Sequence, residues 1–293
     1  MKVTPSSLLA LALLALVALG LLACGETQAG DDDYVARMEA EHRDDRPVPS
    51  PMASEKTPAV ASSEVVYARL ADEEIRGYLV APPDEETPTA AIFLIHEWWG
   101  LNDNIRAIAD RLASEGYLAL AGDLYHGQVA SDRETAASLA RASREETEAL
   151  ADSIGQGLAY LRDEHGIDSI GVIGWCFGGG WSLQTALRFP SSVDAAVIYY
   201  GRLVTAREEL AGLESPILGI FGALDRGIPI ATVEEFESVL SDLGKEATIR
   251  VYEEADHAFA NPSGTRYREA DAEDAWGRTL DFFAEHLIEP AGG

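Results

Sequence analysis

One short segment constrains the fold of this chain more than any other, namely Gly174-Trp175-Cys176-Phe177-Gly178-Gly179. It follows an apolar run at residues 170–173 and precedes a helix-like stretch, so the pattern predicts a strand, a sharp turn and a helix with a thiol at the apex. The glycines allow unusual dihedral angles and a close approach of the helix to the strand. At a helix N-terminus the partial positive charge favours a thiolate. Taken alone, the segment would suit a tightly packed turn with a buried cysteine equally well.

Two patterns further along the chain supply an acid and a histidine. A buried-strand pattern at residues 216–222 is followed by Asp225, and a strand pattern at residues 247–252 is followed by His257. Nucleophile, acid and histidine thus occur in this order, each just past the carboxyl end of a predicted strand. Taken singly, Asp225 would suit a turn and His257 a loop. Their joint order favours a triad in which His257 takes the proton of the Cys176 thiol and Asp225 fixes the imidazole tautomer.

Alternating strand and helix patterns predict one α/β domain over residues 64–288. The predicted strands are 64–70, 75–81, 90–95, 117–121, 170–173, 195–200, 216–221 and 247–252. The predicted helical stretches are 105–114, 133–161, 178–188, 233–243 and 270–286, and the alanine-rich, charged residues 133–163 are interpreted as a pair of surface helices. This alternation favours a doubly wound, mostly parallel sheet with helices on both faces, whose first two strands form an antiparallel edge.

Five segments resemble the dienelactone hydrolase family of α/β-hydrolases, in the same order along the chain. They are IHEWWGLN (95–102), GDLYHG (122–127), GWCFGGG (174–180), YYG (199–201) and HAFANP with AWGRTLDFF (257–262 and 275–283). The resemblance covers residues 65–287. It implies the α/β-hydrolase fold, with Cys176, Asp225 and His257 as the catalytic triad.

The same resemblance implies roles for residues outside the triad. Glu97 would contact the thiol and keep it unreactive until substrate binds. The backbone N–H groups of Trp98 and Phe177 would form the oxyanion hole. In the family, two arginines hold a carboxylate of the substrate, but Gly127 and Asn261 stand at those positions here. A carboxylate without guanidinium partners loses charge-assisted hydrogen bonds, so we expect neutral substrates to be preferred over anionic lactones.

A cysteine, a histidine and an oxyanion hole perform acyl transfer through a thioester intermediate. Because a thiolate is also a good leaving group, esters, lactones and thioesters suit such a site better than amides. The predicted function is therefore a cofactor-free hydrolase acting on a small carboxylic ester or lactone. A thioesterase or acyl transferase with the same triad is the alternative, and a non-enzymatic surface binding lipoprotein is disfavoured because every catalytic part is present. Arg202 and Arg226 would either line the mouth of the site or lie on a solvated surface.

Two further patterns near the predicted site have alternative interpretations. Imidazole and carboxylate groups bind Zn²⁺. One alternative hypothesis is therefore a metal site made of His96, Glu97, His126 and His257. No predicted helix carries two histidines at ligand spacing, so we expect no metal. The adjacent pair Trp98-Trp99 would either wall an apolar pocket or pack a loop on the core.

The N-terminal region predicts export to a membrane surface. Residues 8–22 form an apolar run that is short for a membrane span and typical of a signal peptide, here residues 1–23. The run ends in Leu-Leu-Ala-Cys, which matches the lipobox of bacterial lipoproteins and implies cleavage before Cys24 and diacylation of its thiol. An ordinary secretory signal is the alternative. The acidic, proline-rich residues 24–63 are then a disordered tether to a bacterial membrane, on its periplasmic or cell-surface face, with a short helix over 34–43 as the alternative.

Charge and cysteine content narrow the range of partners. The 50 acidic and 22 basic residues give a net charge of −28, which repels nucleic acid and anionic lipid, so the lipid anchor is the only membrane contact expected. The excess of acidic over basic residues is consistent with adaptation to a salt-rich habitat, and equally with an ordinary acidic protein surface. With one of the two cysteines lipidated and the other catalytic, no disulfide is expected.

Overall fold

An eight-stranded sheet forms the centre of the structure, a computed structural model that describes residue 34 and residues 36–45, 49–54, 60–83 and 88–288. The strands are β1 (Ala61–Leu70), β2 (Glu73–Ala81), β3 (Ala90–Ile95), β4 (Leu118–Gly122), β5 (Ser169–Trp175), β6 (Ala195–Tyr199), β7 (Ile217–Gly222) and β8 (Ala247–Tyr252). Their order across the sheet is β1-β2-β4-β3-β5-β6-β7-β8. Strands β1 and β2 are antiparallel, β2 is antiparallel to β4, and all other pairs are parallel. The predicted mostly parallel sheet with an antiparallel edge is confirmed.

Helices connect the strands and cover both faces of the sheet. They are α1 (Asp103–Ser114), α2 (Arg133–Glu145), α3 (Thr147–His165), α4 (Phe177–Arg188), the single turn α5 (Arg207–Leu210), α6 (Ile230–Asp242) and α7 (Glu269–Leu287). Local sequence sets their ends. The Asn102 side chain accepts hydrogen bonds from the first turn of α1, and Gly166 ends α3 with φ 68°.

Side-chain alternation along the strands divides the core into two layers. On β3, Ile92 and Leu94 pack with the layer that contains α1 and α7, whereas Phe93 and Ile95 pack with the layer that contains α3, α4 and α6. All four side chains are fully buried. A strand covered on both faces needs apolar residues at every position, which explains the unbroken apolar runs of the sequence.

The N-terminal strap, defined as residues 34 and 36–45, differs from the expectation of a disordered tether. Residues 36–41 are helical, in agreement with the short helix considered as the alternative. The helix packs on the domain through Met38, which is 4% exposed. Polar contacts from Glu39 to Arg141 and from Arg266 to the Glu41 carbonyl add to this anchoring. Because these partners come together only in the folded domain, local sequence could not show that the helix has a surface to pack on.

The proposed leader and lipidation site, including Cys24, lie outside the described residues. Within the part of the chain that the structure describes, no helix has the length and apolar character needed to cross a membrane.

Candidate active site

Cys176 occupies a strained turn between β5 and α4. Its backbone adopts φ 54° and ψ −111°, a conformation that residues other than glycine rarely adopt. The neighbouring glycines are required by close approach. A Cβ on Gly174 would lie 2.0 Å from the Gly178 carbonyl oxygen, and a Cβ on Gly178 would lie 2.2 Å from the carbonyl oxygen of Ile95 on β3. The turn thus brings the N-terminus of α4 and the thiol to the carboxyl edge of the sheet.

Asp225 and His257 follow β7 and β8 at the same edge and form a buried pair. His257 Nδ1 lies 2.7 Å from Asp225 Oδ2. The other oxygen of Asp225 accepts hydrogen bonds from the backbone N–H groups of Gly227 (2.7 Å) and Ile228 (2.9 Å), which fixes the carboxylate. Since a carboxylate only accepts, Nδ1 of His257 carries a proton and Nε2 is left for the site. A ring nitrogen of His257 and Cys176 Sγ lie within 4.8 Å of each other.

The electrostatics of this arrangement favour an ion pair between thiolate and imidazolium. Burial alone would raise the pKa of Cys176, but the charge and hydrogen bond of His257, with a smaller effect of His42, lower it to about 6. Burial likewise works against a charged His257, yet the negative charges of Asp225 and Cys176 raise its pKa well above the ordinary value. Each group therefore stabilises the charged form of the other.

Glu97 follows β3 and faces the same site. Its carboxyl accepts a hydrogen bond from Asn261 Nδ2 at 2.5 Å. Burial, and then the negative charge of Cys176, raise the pKa of Glu97 to about 8, so its carboxyl is protonated at neutral pH. Asn261, which stands where the family has an arginine, is therefore a neutral partner of Glu97. The backbone N–H of Gly127, the other such position, donates instead to the Asp123 side chain.

The two residues expected to form the oxyanion hole lie beside the thiol. Phe177 is the first residue of α4, so its N–H has no acceptor within the helix. Trp98, just after β3, lines the same cavity as Phe177 and Cys176. Trp99 does not line this cavity and packs against Ala136 and Ala137 of α2. The tryptophan pair thus both walls a pocket and packs a loop.

A cavity of about 690 Å³ leads to Cys176. Tyr34 and Met38 of the N-terminal strap form part of its wall. The cavity lining also includes three arginines, Arg144, Arg188 and Arg202. Arg202 is exposed and also lines the cavity, so both positions expected for it apply, whereas Arg226 is exposed and is not part of the lining. The lining also contains Glu209, and Arg188 pairs with Glu148 at 3.0 Å, so the expected preference for neutral substrates stays a prediction.

His42 is the site residue that sequence reasoning missed. It is 2% exposed, and its Nε2 lies 3.8 Å from Cys176 Sγ. Its ring stacks on Trp98 with a centroid distance of 4.3 Å and meets the ring of His257 edge-on at 5.2 Å. The only trace in the sequence is the spacing of His42 and Asp45 at the end of a weak helix pattern, in a region whose composition predicts disorder.

The four residues considered for a metal site do not converge. His96 is engaged at both ring nitrogens, because Nε2 accepts from the Leu124 N–H at 3.1 Å and Nδ1 donates to the Glu97 carbonyl at 2.6 Å. His126 pairs with glutamates at the surface. Among the described residues, the group with metal-ligand chemistry is His42, Cys176 and His257, which is the candidate active site itself.

A doubly wound sheet with a strained nucleophile turn and a following acid–histidine pair defines the α/β-hydrolase class of proteins. The model of the dienelactone hydrolase family matches residues 75–287, and the chain belongs to this family. It is a hydrolase of the dienelactone type.

Named relatives agree with this assignment. The chain is 32% identical over 247 residues to a Saccharolobus solfataricus protein provisionally named a carboxymethylenebutenolidase, covering 71% of this chain and 93% of the relative. A crystal structure of a Klebsiella pneumoniae protein, provisionally named a dienelactone hydrolase, is 29% identical, with a TM-score of 0.70 over 78% of this chain and all of that one. The dienelactone hydrolase of Anabaena variabilis, at 21% identity and a TM-score of 0.59, covers 79% of this chain and 100% of its own and shows the same fold.

Proposed function

We propose that the protein is a cysteine-dependent hydrolase of carboxylic esters or lactones that acts through a thioester acyl-enzyme. The observation that carries this proposal is the Cys176 thiol on its strained turn, within 4.8 Å of a ring nitrogen of His257, whose Nδ1 is held by the buried Asp225. No cofactor enters the proposed reaction.

The proposed acylation starts from the thiolate. Cys176 Sγ attacks the carbonyl carbon of the substrate, and the C–S bond forms as the carbonyl oxygen becomes an oxyanion. The N–H groups of Trp98 and Phe177 stabilise this oxyanion. The C–O bond to the leaving group then breaks, and His257 Nε2 donates its proton to the departing alkoxide. In a lactone the alkoxide stays attached to the acyl group.

Deacylation regenerates the enzyme with water. His257, now neutral, takes a proton from water as the water oxygen attacks the thioester carbonyl. The C–S bond breaks, the carboxylic acid leaves, and the thiolate–imidazolium pair is restored. Protonated Glu97 adds no negative charge beside this thiolate. The same triad in a thioesterase or acyl transferase would differ only in the leaving group or in the acceptor that replaces water.

Removal of the thiol tests this proposal. We expect Cys176→Ala to abolish hydrolysis of an activated ester such as p-nitrophenyl acetate by the full chain in detergent, because triad members act as a unit. His257→Ala should lose nearly as much activity. Cys24→Ser, which alters the only other cysteine, is the matched control and should retain kcat/KM. Turnover by Cys176→Ala at the wild-type rate would refute the mechanism, and products formed mainly from an added alcohol or thiol would identify a transferase.

We further propose that residues 1–23 are a lipoprotein signal peptide, that residues 24–63 link a diacylated Cys24 to the enzyme, and that the chain is held at a bacterial membrane. The apolar run that ends in Leu-Leu-Ala-Cys supports this placement.

A further inference from the structure

His42 and Asp45 repeat the geometry of the acid–histidine pair beside the same thiol. His42 Nδ1 lies 2.7 Å from Asp45 Oδ2, and His42 Nε2 lies 3.8 Å from Cys176 Sγ. A carboxylate and a thiolate both only accept hydrogen bonds. A ring that hydrogen-bonds to both of them would donate one hydrogen bond from each nitrogen.

Asp45 is itself held in place by the catalytic domain. Arg266 donates to its Oδ2 at 2.7 Å, and the Thr265 hydroxyl donates to its Oδ1 at 2.5 Å. Burial alone would raise the pKa of Asp45, but the hydrogen bonds and charges of His42, Thr265 and Arg266 lower it to about 2, so the carboxylate is ionised at neutral pH. The pair is thus built like that of Asp225, whose carboxylate is also fixed by several donors.

The N-terminal strap that carries this pair is anchored at several points and borders the cavity, while Cys176 itself is 2% exposed. Met38 lies against Gly227, Glu39 pairs with Arg141 at 2.5 Å, and Arg133 donates to the Arg43 carbonyl at 3.3 Å. With the strap in this position, the cavity still reaches Cys176, and Tyr34 forms part of its wall. A segment that forms part of the cavity wall beside the nucleophile is a part of the site.

We propose that His42 and Asp45 form a second histidine–carboxylate pair of the active site, in which His42 donates a hydrogen bond from Nε2 to the Cys176 thiolate. His42 is then a catalytic residue that stabilises the nucleophile, because it touches the reacting sulphur, and Asp45 is a positioning residue that orients the ring. The inference deepens the proposed function, since it assigns a further group to the same thiolate.

Several other titratable or charged groups face this thiolate, the His42 ring or His257 and contribute to any pH profile. They are Tyr34, Glu41, Glu97, Tyr125, Tyr200, Asp225, Asp256, His257 and Arg266. The test therefore compares variants that change His42 alone and leave these groups in place.

The test measures the rate of iodoacetamide alkylation of Cys176 as a function of pH in the full chain, followed by mass spectrometry of the peptide that contains Cys176. We expect His42→Ala to move the midpoint of this profile upward by about one pH unit and to lower kcat/KM for the ester about tenfold. His42→Gln, whose amide can donate from the position of Nε2, should recover part of both losses. His165→Ala, at the end of α3, is the control and should match the wild type.

Asp45→Asn provides a second variant in case the loss of the stacked ring prevents folding. It should move the midpoint in the same direction by a smaller amount. An unchanged or lowered midpoint together with unchanged or increased turnover in the folded His42 variants would overturn the proposal and identify the strap as a cover. The alkylation profile is independent of ester turnover, so a wild type that alkylates as expected but does not hydrolyse esters would refute the proposed function alone.

Discussion

Single residues at the site have protonation states that their surroundings determine. Cys176 and His257 shift in opposite directions because each charged form stabilises the other, whereas Glu97 is driven to its neutral form by burial and by the nearby thiolate. Asn261 matters here because an arginine in its place would bring a positive charge to Glu97 and favour the carboxylate. The neutral Glu97 is thus a consequence of its burial and of the nearby thiolate, and Asn261 adds no positive charge that would reverse it.

This neutral acid predicts a pH dependence of stability. The pKa of Glu97 is about 8 in the folded protein, above its ordinary value, so the folded state binds this proton more tightly than the unfolded state. The stability from the bound proton is fully present below the unfolded pKa and is lost as the pH rises to about 8. We expect Glu97→Gln, which imitates the protonated form, to gain stability relative to wild type between pH 5 and pH 8, by a few kcal/mol at most.

Urea unfolding of the two proteins at pH 5, 6.5 and 8 measures this difference. Glu237→Gln, at an exposed position of α6, controls for the loss of one negative charge. A stability difference between Glu97→Gln and wild type that is the same at all three pH values would contradict the expected pKa.

At the scale of elements, the site depends on how closely α4 approaches the sheet. The N-terminal turn of α4 fits against the end of β3 only because Gly178 has no side chain, and the same contact directs the Cys176 thiol into the cavity. Backbone atoms on both sides of the contact leave no room for adjustment by side-chain rotation. The absence of a side chain at Gly178 is therefore required both for packing of the helix and for orientation of the nucleophile.

A single methyl group tests this requirement. We expect Gly178→Ala to destabilise the protein by about 1–3 kcal/mol or more, because its Cβ would meet backbone oxygens of Ile95 and His96, and to lower the alkylation rate of Cys176. The matched control is Gly277→Ala, in the exposed middle of α7, where a Cβ would meet nothing within 4 Å. That change should stabilise by up to about 1 kcal/mol. Equal thermal stabilities of the two variants would show that the close approach is not a constraint.

At the scale of the whole molecule, the N-terminal strap determines where the proposed membrane anchor lies relative to the active site. Tyr34 lines the cavity, and nine residues, 25–33, separate it from Cys24. The ten Cα–Cα steps from Cys24 to Tyr34 span at most about 35 Å. If Cys24 is lipidated, the cavity therefore lies within a short distance of the membrane surface.

Lipidation at Cys24 is tested by phase separation in Triton X-114. We expect the wild-type chain, expressed in a bacterium that processes lipoproteins, to enter the detergent phase, because stable attachment needs the more than one acyl chain that lipoprotein maturation supplies. Cys24→Ser should move to the aqueous phase. Cys176→Ser should stay with the wild type, since it alters the other cysteine of the chain. Mature wild-type protein found in the aqueous phase would argue against the anchor.

The sequence by itself determined the sheet, its helices and the order of Cys176, Asp225 and His257 along the chain. These features rest on short-range patterns, namely apolar runs, glycines at a tight turn and polar residues at strand ends, and the strand and helix boundaries of the structure follow them closely. Parallel strands bring their carboxyl ends to one edge, so the meeting of the three residues follows from the topology.

Only the tertiary structure decided the position of His42, the protonation of Glu97 and the arginines of the cavity wall. His42 belongs to a segment whose composition is that of a disordered linker, and its helix is stabilised by contacts with residues about 100 to 225 positions further along the chain. The shifted pKa of Glu97 depends on burial and on a charge from another strand end. Such effects arise because packing brings together groups that are far apart in the sequence. The local pattern of apolar and polar residues therefore cannot predict them.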